Sequence, residues 1–288
     1  MQSVQERSDD LGVLILAAER WVDEYMKDPE THAKLLKLEV RIENTVNRYL
    51  AGYAQRVERY IDWFKYSVAL RQVQAAEPNI DVLIEPGEID NEFQVFIEFV
   101  FGPINQGVSL GALASENISG RLLGLNETSE IIQRTAKELV ADLVGKRVTK
   151  DGLIVDNPRA KFRITDTIRN DIREAVATSL QLGEDQQGLL RRLKKTIKNP
   201  KRAELIARTE TVNAYQRGLL TAGIEGGAVG KEWETRGAND ICVDNANEGP
   251  IPITQRFFSG HLTPTAHPNC RCGLIIIYPE DPLADKIR

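Results

Sequence analysis

Apolar positions Leu35, Leu38, Ile42, Val46, Tyr49, Tyr53, Val57, Tyr60, Phe64 and Val68 recur in steps of three, four and four along an otherwise polar stretch. That eleven-residue period, about 3.67 residues per turn, marks one face of a nearly straight or slightly right-handed helix rather than a heptad coiled coil. It predicts a long helix over about 32–76, roughly 65 Å from end to end at 1.5 Å per residue. Such a length serves either contact with another subunit or an antiparallel helical hairpin within the chain. Ahead of it, Leu11, Leu14, Ile15, Ala18, Val22 and Tyr25 outline a shorter amphipathic helix that ends near Asp28-Pro29. Glu77-Pro78 stops the long helix, because the residue before proline avoids the α region.

Further along, Glu92 to Phe101 is an apolar run that periodicity assigns to neither helix nor strand. Gly102-Pro103 is expected to break it, and the glycine-dotted stretch to Gly124 reads as irregular chain with short helices. Asn126 or Thr128 caps a helix reaching Val144, and Lys146 to Lys161 reads as a surface loop. Three helices follow in close order, from Thr165 or Asp166 to Leu182, from Asp185 to Lys198, and from Asn199-Pro200 to about Ala222. Proline suits the first turn of the third helix, and Gly223, Gly226, Gly227 and Gly230 end it. Beyond about residue 225 the pattern changes to short β-like pieces, Lys231 to Arg236, Pro250 to Ile253 and Leu274 to Tyr278, set among Pro, Gly and Asn.

The fold class this implies is mainly α with a small C-terminal α+β module. Residues 1–150 form a helical N-terminal region, 160–225 a central helical part, and 226–288 a small module containing the Cys and His residues.

Composition narrows the function classes. The 288 residues suffice for a substantial core, and 42% hydrophobic with 27% charged content is ordinary for a globular chain. A formal charge of −5 argues against a surface built wholly for nucleic acid but leaves room for a local basic patch. No run of about 18 apolar residues is present, so no membrane partner is expected, and the polar stretch Met1 to Asp10 does not read as a secretory signal. Three cysteines imply no disulfide framework and point to folding in a reducing cytoplasm.

All three cysteines fall in the last quarter: Cys242, then His267-Pro268-Asn269-Cys270-Arg271-Cys272. Thiolates and imidazole match the tetrahedral preference of zinc, so Cys242, His267, Cys270 and Cys272 are candidate ligands of one structural zinc. A small module with few large apolar residues gains much from such a clip. The alternative is a metal-free buried thiol cluster, and Asn245 stands where a Cys-x-x-Cys knuckle would have its second cysteine.

Two further groups stand out. Glu204 precedes Arg208 by four residues, the favourable ion-pair order on a helix. Glu210 and Asn213 fall beside the apolar positions Ile206, Val212 and Tyr215. With Trp233 they read as a structural latch, since no nucleophile or matched base accompanies Glu210. Arg191, Arg192, Lys194, Lys195, Lys198, Lys201 and Arg202 put seven cations into twelve residues with no acid among them. These are candidate contacts to DNA phosphates, salt-sensitive and nonspecific. No phosphate-binding loop, dinucleotide fingerprint, zinc-protease motif or nucleophile elbow occurs, and no enzyme is expected.

Taken in order, the helix Arg202-Ala203 to Glu210 with Asn213, then Gly226 or Gly227, Trp233, Asp240 with Cys242, Gly249, Phe257 and His267-Pro268-Asn269-Cys270-Arg271-Cys272 resemble the Mu F-like minor head proteins of tailed bacteriophages. The resemblance spans about residues 165–275. It implies a non-enzymatic virion protein, assembled in the host cytoplasm and held in the head interior near the portal. Its expected partners are the portal protein, the major capsid protein or both, with nonspecific contact to packaged DNA. Such proteins assist head assembly and DNA packaging or delivery. Self-association through the long helix would suit docking on a ringed oligomer. Many relatives carry a second cysteine where this chain has Asn245, which removes one candidate ligand. The competing functions are a DNA-binding protein with a zinc module and a metal-dependent hydrolase or toxin; only ten residues follow Tyr278, too few for an added toxin domain.

Overall fold

The computed structural model describes residues 29–72, 80–84, 86–157, 160, 164–235 and 240–287. The helix expected over 11–26 and the stop at Glu77-Pro78 lie outside them. In chain order the helices are α1 (Pro29–Arg56), α2 (Trp63–Gln72), α3 (Pro86–Ser119), α4 (Glu130–Leu143), α5 (Ile164–Gln181), α6 (Gln186–Ile197), α7 (Pro200–Glu225) and α8 (Asp240–Asn247). The strands are β1 (Lys146–Val148), β2 (Ile154–Asp156), β3 (Gly230–Glu234), β4 (Ile251–Pro252) and β5 (Gly273–Ile277). The fold is therefore mainly α with a small C-terminal α+β module, as the periodicity implies.

The single helix over 32–76 is corrected to two. The stripe is buried from Leu35 to Tyr60, but Phe64 is 77% exposed. The chain tightens into a 3-10 turn at Val57–Tyr60 and Ile61 becomes extended, bridging antiparallel to Ile84. Asp62 then restarts the helix by accepting the Lys65 N–H at 3.0 Å, an N-cap whose carboxylate satisfies a free donor of the first turn. From there Tyr66 and Ala69 face inward instead.

The break expected at Gly102-Pro103 is likewise absent, and α3 runs through it as one helix. Proline inside a helix forfeits a hydrogen bond and costs about 3 kcal/mol. Against this, Phe96, Val100, Ile104, Val108 and Ala112 recur every fourth residue and are all buried. Each large member contributes about 1.5–3 kcal/mol by leaving water, so the stripe outweighs the proline. The surface loop read at Lys146 to Lys161 is corrected in part to a hairpin, with β1 antiparallel to β2.

Two compact units form. One comprises Asn44–Val100 and Val140–Ala203. Its centre is Glu92, buried on α3, which takes both arms of Arg56 at 2.6 Å and the Tyr60 hydroxyl. The Tyr49 hydroxyl donates to the Glu92 carbonyl at 3.0 Å. In the same unit Asp185 caps α6 by accepting the Gly188 N–H at 2.8 Å. Leu189, Leu190, Leu193 and Ile197 form the buried face of α6.

The other unit draws on the described part of Met1–Glu43 with Phe101–Leu139 and Glu204–Arg288. Its frame is a close crossing of α3 and α7. A methyl group on Gly111 would lie 1.9 Å from the Tyr215 carbonyl oxygen, and one on Gly218 would lie 2.0 Å from that of Val108. Gly107 faces Ala214 at the same crossing. The glycines that suggest irregular chain are there to let two helix backbones touch. After α3, Gly120 and Gly124 turn the chain with positive φ, and buried Glu116 accepts the Gly124 and Leu125 N–H groups. Arg121 donates to the Gly226 carbonyl and to Glu280 and lies over the Tyr278 ring. This clasp ties the loop to the C-terminal module, whose antiparallel sheet has the order β4-β3-β5.

Candidate metal centre

The three cysteines converge in the core of the C-terminal module. Cys242 comes from α8, and Cys270 and Cys272 lie just before β5. Their sulfurs all lie within 4.8 Å of one another, and all three are buried. The Cys242 and Cys270 sulfurs are 3.7 Å apart. Around them pack Trp233, Ile251, Phe257, Ala266 and Leu274, with the Trp233 and Phe257 rings edge to face at 5.1 Å.

Burial shapes the chemistry of the thiols. It pushes the Cys242 thiol up to about 12, with help from its hydrogen bond to Cys272. The Cys270 thiol is driven well above its ordinary range, first by its hydrogen bond to Cys272 and then by burial. Without a cation both are neutral thiols at physiological pH, poor nucleophiles held in an apolar setting. Thiolates form here only if a positive charge arrives to stabilise them, and three soft sulfur donors suit zinc and other thiophilic ions.

His267 does not join the sulfurs. It opens a turn in which the Cys270 N–H donates to the His267 carbonyl, and its Nδ1 donates to the Pro268 carbonyl at 2.9 Å. Asn245, three residues after Cys242, is fully buried and works in another way: its amide donates to Ser259 Oγ at 2.8 Å and accepts the Ser259 N–H at 3.1 Å. It locks α8 to the loop beneath it. Two residues of α7 hold the cysteine strand in place. Gln216 donates to the Cys272 carbonyl at 3.3 Å, and Thr209 Oγ1 accepts the Asn269 N–H at 3.0 Å. Neither α7 residue is distinguishable in sequence from any other polar position on a helix.

Lys231 is also buried in this core. Its ammonium donates to the Leu262 carbonyl at 2.9 Å and stands 5.3 Å from the Phe257 ring centre. Burial, then the nearby cations Arg217 and Arg256, bring it down to about 8. Strand alternation does not reveal a lysine facing inward.

The latch residues divide between two places. On α7, Arg208 pairs with Glu204 at 2.8 Å and reaches buried Glu39 of α1 at 3.4 Å, while Asn213 donates to Glu210 at 3.0 Å. Trp233 belongs to the core of the module instead. The basic run also divides. Arg192 is bound to Glu184 at 2.6 Å, and Arg202 to Asp171. Arg191, Lys194, Lys195, Lys198 and Lys201 are exposed.

Fold and site together define a helical protein whose C-terminal module is organised around a buried thiol triad. Residues 170–275 match the family described as Phage Mu protein F like protein, so this segment is similar to that family. The match begins within α5 and ends within β5, so it takes in the triad and all of α7. No curated protein and no solved structure matches the chain. Among the described residues no helix is long and apolar enough to cross a membrane.

Proposed function

We propose that the chain is a structural minor head protein of a tailed bacteriophage, resident in the virion head beside the portal or the inner capsid, where it assists assembly and DNA packaging or delivery. The observation that carries this is the family match over residues 170–275. On this reading the thiol triad holds one structural zinc that pins the module, as three buried sulfurs within 4.8 Å would allow. Because the α1 stripe is buried within the chain from Leu35 to Tyr60, the portal-facing surface lies elsewhere than on that stripe. The deciding experiment is a pull-down of the purified chain on its cognate portal ring, followed by native mass spectrometry. Stoichiometric capture is expected. A folded sample that leaves the portal bare overturns the proposal.

A second reading, direct DNA contact, is favoured by the five exposed cations at Arg191, Lys194, Lys195, Lys198 and Lys201. It predicts weak duplex binding whose logarithm falls with the logarithm of salt concentration, by about 0.9 per phosphate contacted. Reversing Arg191, Lys194 and Lys195 to Glu flattens that slope. Arg192 is left out of the set because its pair with Glu184 supports the fold. The hydrolase reading gains no support, since no histidine or carboxylate joins the triad among the described residues.

A further inference from the structure

One pair of the sulfur triad already has the spacing of a metal site, and all three sulfurs lie within 4.8 Å of one another. Sulfurs about 2.3 Å from a tetrahedral zinc stand about 3.8 Å apart, and Cys242 and Cys270 are at 3.7 Å. A sulfur–sulfur bond would need about 2.05 Å. A tetrahedral ion takes four donors, and no fourth His, Cys, Asp or Glu lies within the group among the described residues.

His267 has three properties of a ligand held in reserve. Its backbone is tied to Cys270 through the turn His267-Pro268-Asn269-Cys270, with the Cys270 N–H returning to the His267 carbonyl. Proline second and a positive φ of 61° at Asn269 third match a type II turn, whose end Cα atoms lie within about 7 Å. The imidazole is also in the right tautomer. A carbonyl oxygen only accepts, so the 2.9 Å contact to Pro268 places a proton on Nδ1, and in a neutral imidazole the lone pair is then on Nε2. A metal-bound histidine characteristically donates its other ring N–H to such a carbonyl or a carboxylate. Finally, the segment carrying His267 is bounded by Thr265 at φ 95° and Asn269 at φ 61°. Thr265 is β-branched and held where such residues are rarely found, so the backbone stores strain beside the histidine.

We infer that His267 is a swing-in fourth ligand: when a tetrahedral thiophilic divalent ion such as zinc occupies the triad, the Thr265–Asn269 segment moves and His267 Nε2 caps the ion, with the Pro268 carbonyl still holding Nδ1–H. This rests on the reading of the triad as a metal site. It assigns Cys242, Cys270 and Cys272 to a preformed base and His267 to a closing lid carried on the turn that docks on Thr209 of α7.

The test uses the full chain, wild type, His267→Ala and Cys272→Ser, titrated with Zn(II) and separately with Co(II) as the spectroscopic probe. Wild type is expected to bind one ion per chain by native mass spectrometry, with Co(II) bands of a four-coordinate site of three sulfurs and one nitrogen. His267→Ala, a change at a partly exposed position, is expected to keep its circular dichroism and its thiolate charge-transfer bands. Its d–d envelope should shift, and its zinc affinity should fall tenfold or more. Identical Co(II) spectra and affinities for wild type and His267→Ala overturn the swing-in ligand while leaving the triad site standing. A wild-type chain that takes up no ion, or a Cys272→Ser chain that binds as well as wild type, overturns the metal reading itself.

Discussion

Replacing Gly111 with alanine tests the close crossing of α3 and α7 directly. The added methyl would sit 1.9 Å from the Tyr215 carbonyl oxygen, 2.8 Å from its carbon and 3.0 Å from the Leu219 nitrogen. All three are backbone atoms on a helix, so no side-chain rotation relieves the overlap. Carbon–oxygen contacts settle at about 3.3–3.6 Å, so the helices must part locally by roughly 1.5 Å. A gap of even 0.5–1 Å forfeits about a quarter to a half of each van der Waals contact along the seam. Overpacking of this kind costs about 1–3 kcal/mol or more. Alanine returns about 1 kcal/mol through its better helix propensity. With the overlap on backbone, the upper part of that range applies and a net loss of about 2 kcal/mol is expected. At roughly 2–4 °C per kcal/mol, the Tm should fall by about 4–8 °C. Urea and thermal melts followed by circular dichroism measure this. Gly218→Ala should behave alike, and the double variant should lose less than the sum, because the helices part only once. Gly102→Ala is the control: nothing lies within 4 Å of its Cβ position. There the propensity gain is offset by the following proline, and the change should stay within about 1 kcal/mol. A Gly111→Ala protein that melts at or above the wild-type temperature refutes the crossing.

Lys231 gives a pH-dependent test. Its ammonium comes down to about 8 in the folded chain from an ordinary 10.5, so between those values the unfolded chain binds more protons and Lys231 contributes stability that grows as pH rises. Below pH 8 the buried charge is a burden that Lys231→Met removes. The stability difference in favour of Met should therefore be largest below pH 8 and shrink by up to roughly 3 kcal/mol by pH 10.5. The cysteines, which act in the opposite sense, cancel in the difference; a flat difference across the window contradicts the buried-cation account. At α6, Asp185→Ala should cost about 1 kcal/mol in urea unfolding and Asp185→Asn much less, since either oxygen-bearing side chain can accept the Gly188 N–H. Equal losses for both would place the effect in charge rather than capping.

Local features were legible in the sequence. Asp185 as a cap, Asn199-Pro200 as a helix start, Gly226 and Gly227 as its stop and the three strands of the module all follow from chemistry within a few residues, whereas Gly223, also expected to end the helix, lies inside it. So does the inward stripe from Leu35 to Tyr60. What escaped depends on residues far apart in the chain. The break at Ile61 exists because Ile84 offers it a bridge. The persistence of α3 through Pro103 depends on the burial of a stripe longer than the local breaker. Gly107 and Gly111 mean irregular chain in isolation and close helix contact once α7 is opposite. At the site, the three cysteines were recognisable from their concentration in one quarter of the chain. The standing of His267 outside the sulfurs was not, because it depends on the backbone path between Thr265 and Asn269, both at positive φ. Asn245 appeared as a missing ligand, whereas it is a fully buried bracket between α8 and Ser259.

The Arg121 clasp has a consequence for how the chain is made. Its two polar partners, the Gly226 carbonyl and Glu280, are synthesised 105 and 159 residues after it. At about 5–20 residues per second, the arginine emerges from the ribosome roughly 8–30 s before Glu280 exists. Until Glu225 is made, the small-residue face of α3 lacks a complete α7, and until Ile277 is made, β3 lacks the strand that completes its sheet. The nascent chain thus displays an unfinished seam until α7 is made, and closure of this unit is a late event governed by the arrival of β5 and the residues after it.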